Sequence, residues 1–521
     1  MAAVFDTIVI GGGANGLVAA AAAARAGQRV LLLEERDVLG GQGRTIEFAP
    51  GFRAAPLQHG GWVTPHVARA LDLKLERVEP DAPLSVPVDG DEWLSVWRDV
   101  PRAAAALRRF SGRDAEQWPA FARRLHSLSG FLAHLYQQPA PDLDSTAPRD
   151  VLAMLGVGRR LRALGRADLT EFLRLMPMAV EELVEDWFEC MPLRAGIAAG
   201  GVQQLAQGPR SGGTTFVLLH HLIGAPHGAV RSAGWWRAAP DAFIAAAEAA
   251  VRRSSVTVRT GAAVARIQVR DDAVAGVVLA SGEEIAARRV LSTADPVRTL
   301  LGLVDPVWLD PEFLLAVRNI RLRGATAVVC YALDGLPPLA GGDTMLQGVV
   351  SLSQTVTMLN QAADAAKYGA ISEQPHVELT VPTLRWSHGL APAGRHVLVA
   401  TAQWAPYHLR DGAWDDARRD VLEQRVTAAI EAVAPGFTSR VLHRSTLAPP
   451  DIEQQYGLTQ GALTHGELML DQILFMRPVP GWGRYATPIA GLYMGGAGTH
   501  PGPAIPGAAG ALAAARLARD N

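Results

Sequence analysis

The first forty residues alternate apolar runs with one glycine cluster. Residues 7–10 form a short apolar run, residues 11–16 hold four glycines, residues 17–26 are alanine-rich, and residues 30–33 form a second apolar run that ends on Glu34. Short apolar runs bounded by glycine indicate buried strands, whereas a longer alanine-rich segment indicates a helix. The pattern therefore predicts a strand, a glycine turn, a helix, a strand and an acidic residue, in that order.

The glycine spacing within this pattern is that of a dinucleotide-binding turn. Gly11 permits the tight turn, Gly13 lets the backbone approach a pyrophosphate, and Gly16 lets the helix pack closely on the strand. The helix N-terminus offers N–H groups and a positive dipole end to phosphates. Glu34 lies 23 positions after Gly11, where a carboxylate can accept hydrogen bonds from a ribose. This context favours a cofactor site over a glycine turn without a ligand.

A second glycine pair follows the acidic residue. Gly40 and Gly41 precede Gln42, Gly43 and Arg44, and a glycine backbone at this point can pass close to a flavin cofactor's ribityl phosphate. Arg44 could neutralise the pyrophosphate or be a solvated loop arginine. The segment extends the predicted cofactor site.

The C-terminal end repeats the arrangement of strand, glycine loop and helix. Residues 491–494 predict a strand, residues 495–502 a glycine loop, and residues 503–518 a turn followed by an alanine- and leucine-rich helix. A second such site suits a long ligand such as FAD, because the second helix can stabilise negative charge on a reduced flavin ring. The alternative is a C-terminal helix that only closes the sheet. No second glycine fingerprint of comparable context exists for a separate nicotinamide.

The middle of the chain mixes helical and strand patterns. Helical spacing predicts a helical lobe, and period-two or continuous apolar runs predict strands. The predicted helices are 110–136, 151–190, 241–251, 357–368 and 415–433. The predicted strands are 256–258, 264–269, 274–279, 290–296, 326–333, 376–381 and 396–404. We therefore expect a cofactor domain built from 1–80, 231–300 and 481–521, and a substrate domain built from 81–230 and 301–480.

Apolar side chains of the first helical segment allow two interpretations. They could line an apolar substrate tunnel or face a membrane surface, which the arginine-bearing stretch 107–124 would permit. Apolar stripes at helical spacing are more often ordinary core, with solvated arginines outside. The side chains concerned are Phe110, Phe121, Leu125, Phe131 and Leu132.

Composition narrows the possible functions. The chain has 521 residues, of which 49% are hydrophobic and 19% are charged, and its net charge is −2. A chain of this length favours two or more domains, and the lack of a basic tract argues against nucleic acid. Cys190 and Cys330 form no CxxC pair, which argues against a redox disulfide or a zinc site, and we expect no metal. The early first strand and the lack of a long apolar run predict a cytoplasmic protein, with peripheral membrane contact left open.

Several longer motifs resemble one family. They are VIGGGANGLVAA at 9–20, LLLEERDVLGG at 31–41, VLSTADP at 290–296, LAPAGRHVL at 390–398, THGELMLDQILFMRPVPGW at 464–482 and PIAGLYMGGAGTHPG at 488–502. The chain resembles the phytoene (carotenoid) desaturase-like FAD-dependent oxidoreductases, in the branch of pyridine nucleotide-disulphide oxidoreductase domain-containing protein 2. The resemblance implies an α/β fold with a Rossmann-type, amine-oxidase-like FAD-binding domain and a mixed-sheet plus helical substrate domain.

The resemblance also implies that FAD lies extended between the two glycine sites. The residues expected around its adenosine–pyrophosphate half are Gly11, Gly13, Ala14, Asn15, Gly16, Glu34, Glu35, Arg36, Gly41, Gln42, Gly43 and Arg44, with the backbone of Val264 beside the adenine. Those expected near the flavin ring are Gly498, Thr499, Pro503, Ala504 and Ile505.

The implied activity is desaturation of a hydrophobic small molecule, such as a polyene or isoprenoid, by hydride transfer to the flavin, with oxygen or a quinone as electron acceptor. A base would speed loss of the accompanying proton. The candidate bases are His500, which is preferred because its glycine loop should reach the flavin, His465, Glu467, His59 and His221. Each could instead be structural. Alternatives are an amine-oxidase-like enzyme, a flavin-dependent isomerase and a non-catalytic flavin-binding interaction protein.

Overall fold

Two seven-stranded sheets organise the computed structural model, which describes residues 5–57, 61–88, 90, 92–141, 148–336 and 342–520. In chain order the strands are β1 (Phe5–Ile10), β2 (Val30–Leu33), β3 (Ile46–Ala49), β4 (Phe52–Ala54), β5 (Arg77–Val78), β6 (Leu84–Pro87), β7 (Trp93–Val96), β8 (Trp235–Trp236), β9 (Thr257–Arg259), β10 (Val264–Arg270), β11 (Ala273–Leu279), β12 (Glu284–Ser292), β13 (Thr326–Leu333), β14 (Val349–Ser351), β15 (His376–Thr380), β16 (His396–Gln403), β17 (Val441–Leu447) and β18 (Leu492–Met494).

Helices cover both sheets and form a separate lobe. In chain order they are α1 (Ala14–Arg25), α2 (Pro65–Leu71), α3 (Val100–Leu107), α4 (Gly112–Leu135), α5 (Pro148–Ala163), α6 (Gly165–Leu175), α7 (Val180–Trp187), α8 (Met191–Gly200), α9 (Thr214–His221), α10 (Ala242–Arg253), α11 (Pro311–Arg318), α12 (Asp343–Leu346), α13 (Val356–Lys367), α14 (Asp416–Val433), α15 (Pro449–Tyr456) and α16 (Ala508–Arg519).

The first sheet has a parallel core with an antiparallel extension. Its order is β10-β11-β12-β1-β2-β9, and β18 pairs with β12. Strands β12, β1, β2 and β9 run parallel, while β10 and β11 are antiparallel to their neighbours. All strands predicted in residues 1–33, 256–296 and 491–494 are therefore confirmed within one or two residues, except that β12 begins earlier, at Glu284, and ends at Ser292.

Alternating residues of β1 explain why helices cover both faces of this sheet. Val9 packs in the cluster formed with α1, α10 and α16, whereas Ile8 and Ile10 pack on the opposite face in the cluster that holds α11. Successive side chains of a strand point to opposite faces, so a run that is apolar throughout requires cover on both sides. Helix α11 lies in the segment assigned by sequence to the substrate domain, yet its core residues pack on the cofactor sheet.

The second sheet has the order β17-β13-β16-β15-β14-β6-β7. Strands β13, β15 and β16 and helices α13 and α14 confirm the predictions for residues 326–433. Strands β6 and β7 were not among the predicted strands, and they join this sheet before the helices of the lobe begin at Val100. Both have only four residues, which is too short to give a clear period-two pattern.

Core packing of the helical lobe decides between the two interpretations of α4. Phe121 is 1% exposed and lies edge-on to Phe188, with ring centroids 4.8 Å apart. Leu125, Phe131 and Leu132 are buried in the same cluster, and Phe110 packs against it. The tunnel and membrane-facing interpretations are therefore wrong for the four buried residues of α4, which is a core helix.

We expect Phe121→Ala to lower the free energy of unfolding by about 3–5 kcal/mol, because it leaves a cavity beside Trp118, Trp187 and Phe188. Urea unfolding measures the change. Leu155→Ala is the matched control, since Leu155 is 64% exposed on α5 and its loss should change stability by less than about 0.5 kcal/mol. Equal stability of the two variants would contradict the core assignment.

Candidate functional site

Two glycine segments touch at the carboxyl end of the first sheet. A Cβ at Gly41, whose φ is +53°, would lie 3.2 Å from the Cα of Gly13, and a Cβ at Gly16 would lie 1.8 Å from the carbonyl oxygen of Gly11. Gly11 has φ +99° and packs on the Thr293 hydroxyl. The glycines are therefore required by close backbone approach, and the contact leaves a narrow cleft where the strands β1 and β2 end.

The N-terminus of α1 opens into this cleft without side-chain caps. Gly13 is the N-cap residue, it makes no side-chain hydrogen bond, and the first turn carries no acidic residue. The first N–H groups of a helix have no partner within the helix, and its dipole places positive charge there. This end of α1 is therefore suited to an anionic group such as a phosphate.

Glu34 is fixed at the end of β2 by two backbone amides. One carboxylate oxygen accepts from Gly12 N at 2.6 Å and the other from Arg36 N at 3.0 Å. Only 9% of the residue is exposed, and it lines the cleft. Each oxygen retains capacity to accept a further hydrogen bond, which is what a ribose hydroxyl would need.

Three arginines line the same cleft. Arg36 donates to the carbonyls of the segment 454–455, and Arg298 donates to Gly457 O and Glu35. Arg44 donates Nη2 to a carbonyl of the same segment and stacks 4.7 Å from the centre of the Tyr456 ring, while its Nε is buried without a hydrogen-bond partner among the described residues. A buried donor without a partner is costly, so Arg44 has a hydrogen bond to offer a bound group.

The cleft continues as one cavity, the cofactor cavity, from the first glycine turn to the C-terminal loop. Fifteen of the residues predicted for FAD line it: Gly11, Gly13, Ala14, Asn15, Glu34, Glu35, Arg36, Gly41, Gln42, Gly43, Arg44, Val264, Pro503, Ala504 and Ile505. Sequence reasoning missed others, which include Thr293, Ala294, Arg298, Tyr456 and Ala497. Thr293 and Ala294 belong to the motif at 290–296, so that motif was the signal that could have identified them.

Three residues predicted for the cofactor lie beneath this cavity instead of lining it. Gly16 packs on Gly11, and a Cβ at Gly498 would meet the ring of Pro296 at 2.4 Å. Thr499 is fully buried, with its hydroxyl donating to Gly496 O at 2.8 Å. They shape the two glycine turns from behind, and their predicted direct contact with FAD stays a prediction.

His500, the preferred base, does not line the cofactor cavity. It is 1% exposed, its Nε2 lies 3.0 Å from Gln138 O, and its ring packs edge-on to Tyr136. Tyr136 in turn hydrogen-bonds His220 Nδ1 at 2.9 Å, and His220 Nε2 lies 2.9 Å from Pro503 O. These rings form a buried support under the C-terminal loop. A catalytic role for His500 stays a prediction, and this position gives it no direct access to the cavity.

The other candidate bases are scattered. His465 lines the cofactor cavity, with Nδ1 buried and without a partner among the described residues, and burial lowers its pKa. Glu467 is 2% exposed, and its carboxylate accepts hydrogen bonds from Arg323 and from Ala206 N, the latter at 2.8 Å. It therefore connects the segment that follows α8 with the segment that precedes β13. His221 lines a second cavity, and His59 lies outside the described residues.

The second cavity, here the substrate cavity, lies against the second sheet. It has a volume of about 120 Å³ and shares Gly61, Trp236, Ala504 and Ile505 with the cofactor cavity. Tryptophans form much of its wall, and strands β15 and β16 supply polar side chains. The aromatic members are Trp62, Trp235, Trp236 and Trp386, and the polar members include Gln203, His220, His221, Glu378, Thr380, Arg385 and Thr401.

Comparison with known proteins agrees with this geometry. Residues 9–70 match the family described as NAD(P)-binding Rossmann-like domain. The chain is 33% identical to pyridine nucleotide-disulfide oxidoreductase domain-containing protein 2 of Rattus norvegicus, over 99% of this chain and 94% of that protein. The chain belongs to this family. It is also 26% identical to hydroxyneurosporene desaturase of Rubrivivax gelatinosus, over 98% and 92% of the two chains.

The fold has solved counterparts among amine oxidases. Cyclohexylamine oxidase from Brevibacterium oxydans superposes with a TM-score of 0.58 at 15% identity, covering 99% of both chains. The pyridine nucleotide-disulfide oxidoreductase domain-containing protein 2 family, to which the chain belongs, is thus of the flavin-type oxidoreductase kind and has desaturase relatives. The fold of the chain is Rossmann-type and amine-oxidase-like. Its two cysteines, Cys190 and Cys330, are both free.

Two further features of the described residues bear on location and metals. None of their helices is both long and apolar enough to cross a bilayer. Nowhere within the same ranges do three His, Cys, Asp or Glu side chains converge as a metal site would require.

We expect the buried imidazoles of His220 and His500 to make stability depend on pH. Burial lowers the pKa of each from its ordinary 6.5 to about 4. Between these values the unfolded chain binds protons that the folded protein does not. The free energy of unfolding should therefore not change through these two groups above pH 6.5, and it should fall as the pH drops from 6.5 towards 4. The decrease is up to about 1.4 kcal/mol per pH unit for each imidazole.

Urea unfolding of wild type and His500→Gln from pH 4 to 8 measures this dependence. The variant should show a shallower loss of stability in acid. His388→Gln is the control, because His388 is exposed and its substitution should leave the slope unchanged. An unchanged slope in a folded His500→Gln protein would contradict the assignment.

Proposed function

We propose that the protein is an FAD-dependent oxidoreductase that dehydrogenates a small molecule held in the substrate cavity. The observation that carries the proposal is the junction of the two cavities at Gly61, Trp236, Ala504 and Ile505. A cofactor whose reactive end reached that junction would meet a substrate in the neighbouring cavity. When bound, FAD accepts a hydride from a substrate carbon.

Features of the cofactor cavity fit FAD. A Cβ at Gly41 would approach Gly13 Cα to 3.2 Å in the passage between the two glycine segments, and the N-terminus of α1 opens beside it. The buried Nε of Arg44 offers a donor to a phosphate, and Glu34 offers acceptors to a ribose. The lining of the cavity includes both Val264, expected beside the adenine, and the turn 503–506, expected near the flavin ring. It therefore provides contacts for both halves of a long dinucleotide.

The residues of the chain would bind and orient the cofactor and the substrate and would exclude water from the place where they meet. Arg36 and Arg298 hold the C-terminal end of α15, residues 454–457, beside the cavity through its backbone carbonyls. Trp236 and Ile505 are buried at the junction of the cavities. A water-excluded, fixed geometry is what hydride transfer requires, because the reacting atoms must approach to roughly 3–3.5 Å.

The substrate cavity supports a compact substrate with an apolar body. Its volume of about 120 Å³ and its tryptophan walls suit a small ring or short chain better than a long polyene. We therefore retain dehydrogenation of a partly hydrophobic small molecule, as the sequence predicts, and propose a smaller substrate than a carotenoid. The electron acceptor, oxygen or a quinone, stays a prediction.

Purified protein should carry flavin, visible in its absorbance spectrum and released on denaturation. Glu34→Ala should lose most of this flavin, because it removes the ribose acceptor and leaves Gly12 N without its partner. Glu47→Ala is the control, since Glu47 is exposed on β3 and lines neither cavity. Wild-type protein without flavin would contradict the proposal. Equal flavin content in Glu34→Ala and wild type would contradict the assignment of Glu34 to the ribose.

A further inference from the structure

Charged side chains concentrate on one side of the substrate cavity. Glu378 and Arg385 line it directly. The pair Arg77–Glu79 lies just behind its wall, because a Cβ at Gly234, which lines the cavity, would lie 2.4 Å from both Arg77 Nε and Glu79 Oε1. A cavity that holds only an apolar molecule does not need such groups, since burying charge is costly.

Two arginines near the substrate cavity, Arg231 and Arg77, form ion pairs with carboxylates. Arg231 is 2% exposed and donates Nη2 to Glu378 at 2.5 Å, while His376 lies 3.5 Å from the same carboxylate. Arg77 Nε lies 2.8 Å from Glu79. Each pair places opposite charges in contact, and buried pairs of this kind are compensated within the protein.

Arg385 has no such match. Its Nε and Nη2 donate to the backbone carbonyl of Gln347 at 3.0 and 2.8 Å, and Nη2 donates to Gly348 O at 3.2 Å. Its guanidinium lies 4.9 Å from the centre of the Trp235 ring. Among the described residues it forms no ion pair, and the N–H groups of Nη1 have no partner. These contacts fix the guanidinium while no carboxylate of the described residues lies within ion-pair distance of it.

The charge count around the cavity is therefore uneven. Among the described residues, Arg385 and Glu378 line the cavity, and the ion-pair partners behind its wall add the guanidinium groups of Arg77 and Arg231 and the carboxylate of Glu79. Burial lowers the pKa of Arg385 to about 10, opposed by the charge of Glu79, so the group still carries its proton at neutral pH. Among the described residues, one positive charge beside this aromatic-walled cavity therefore remains without its own carboxylate.

We propose that the substrate carries a carboxylate, which accepts hydrogen bonds from Arg385 while its apolar body packs among Trp62, Trp235 and Trp386. A guanidinium is the group best suited to a carboxylate, because its planar donors match the two oxygens. That this ligand is the substrate rests on the proposed function. A cationic amine would instead meet the Arg385 guanidinium, and one oxygen of Glu378 already accepts from Arg231.

Binding of three probes of one shape and different charge tests this inference. Phenylacetate, phenylacetamide and 2-phenylethylamine are titrated into the purified full-length protein by isothermal titration calorimetry. Phenylacetate should bind at least about tenfold more tightly than the neutral amide, in line with a charge-assisted hydrogen bond, and the amine should bind weakest. Amide and acid of equal affinity, or an amine that binds tightest, would overturn the inference.

Variants locate the site. Arg385→Gln should abolish the preference for the acid, and Arg385→Lys, which keeps the charge, should retain part of it. Arg425→Gln is the matched control, because Arg425 also donates to a backbone carbonyl, that of Ile371, but lines neither cavity. An unchanged preference in folded Arg385→Gln would overturn the assignment, and the wild-type probe series decides if that variant does not fold. Because binding is measured apart from flavin content, a protein that retains flavin but shows no preference fails this inference alone.

Discussion

Direct backbone contact between two glycine segments is the constraint on which the rest of the site depends. A side chain at Gly41 would approach the Cα of Gly13 to 3.2 Å, and one at Gly16 would strike the Gly11 carbonyl. These contacts fix the end of β1, the start of α1 and the loop after β2 relative to one another. Every other group of the cofactor cavity takes its place from that arrangement.

The cofactor half of the molecule was largely predictable from the sequence, because its signals are local. The spacing from Gly11 to Glu34 encodes a strand, turn, helix and strand that are contiguous in the chain, and the structure pairs them as expected. The lining of the cofactor cavity by Val264 and by the turn 503–505 agrees with the resemblance to flavin desaturases. Arg298 and Tyr456 could not be predicted, since only tertiary packing brings them to the cavity.

Side-chain direction decides what the sequence leaves open. His500 was preferred because its glycine loop reaches the C-terminal end of the cavity, and the loop does so, but the imidazole turns inward to Gln138 O. Residue spacing carries no information on that choice. Likewise, Phe121 belongs to an apolar stripe that fits a tunnel, a membrane face or a core equally well until its neighbours are known.

The substrate cavity depends most on long-range structure. Its lining comes from segments as far apart as Trp62, Glu378 and Ile505, and the balance of its charges appears only when these are assembled. The result is a small aromatic site beside the cofactor cavity. The polar side chains of this site bear on the choice of substrate as much as its tryptophan walls do. The family relationship identifies the type of protein, while the proposal about its substrate rests on this cavity.

A crystal structure of the protein purified with its flavin tests the central claim most directly. The account predicts one FAD in the cofactor cavity, with adenine beside Val264, pyrophosphate beside Gly13 and Gly41, and the flavin ring at the junction near Ala504 and Ile505, open to the substrate cavity. A ring located away from that junction, or a nucleotide that leaves the C-terminal half of the cavity empty, would contradict it.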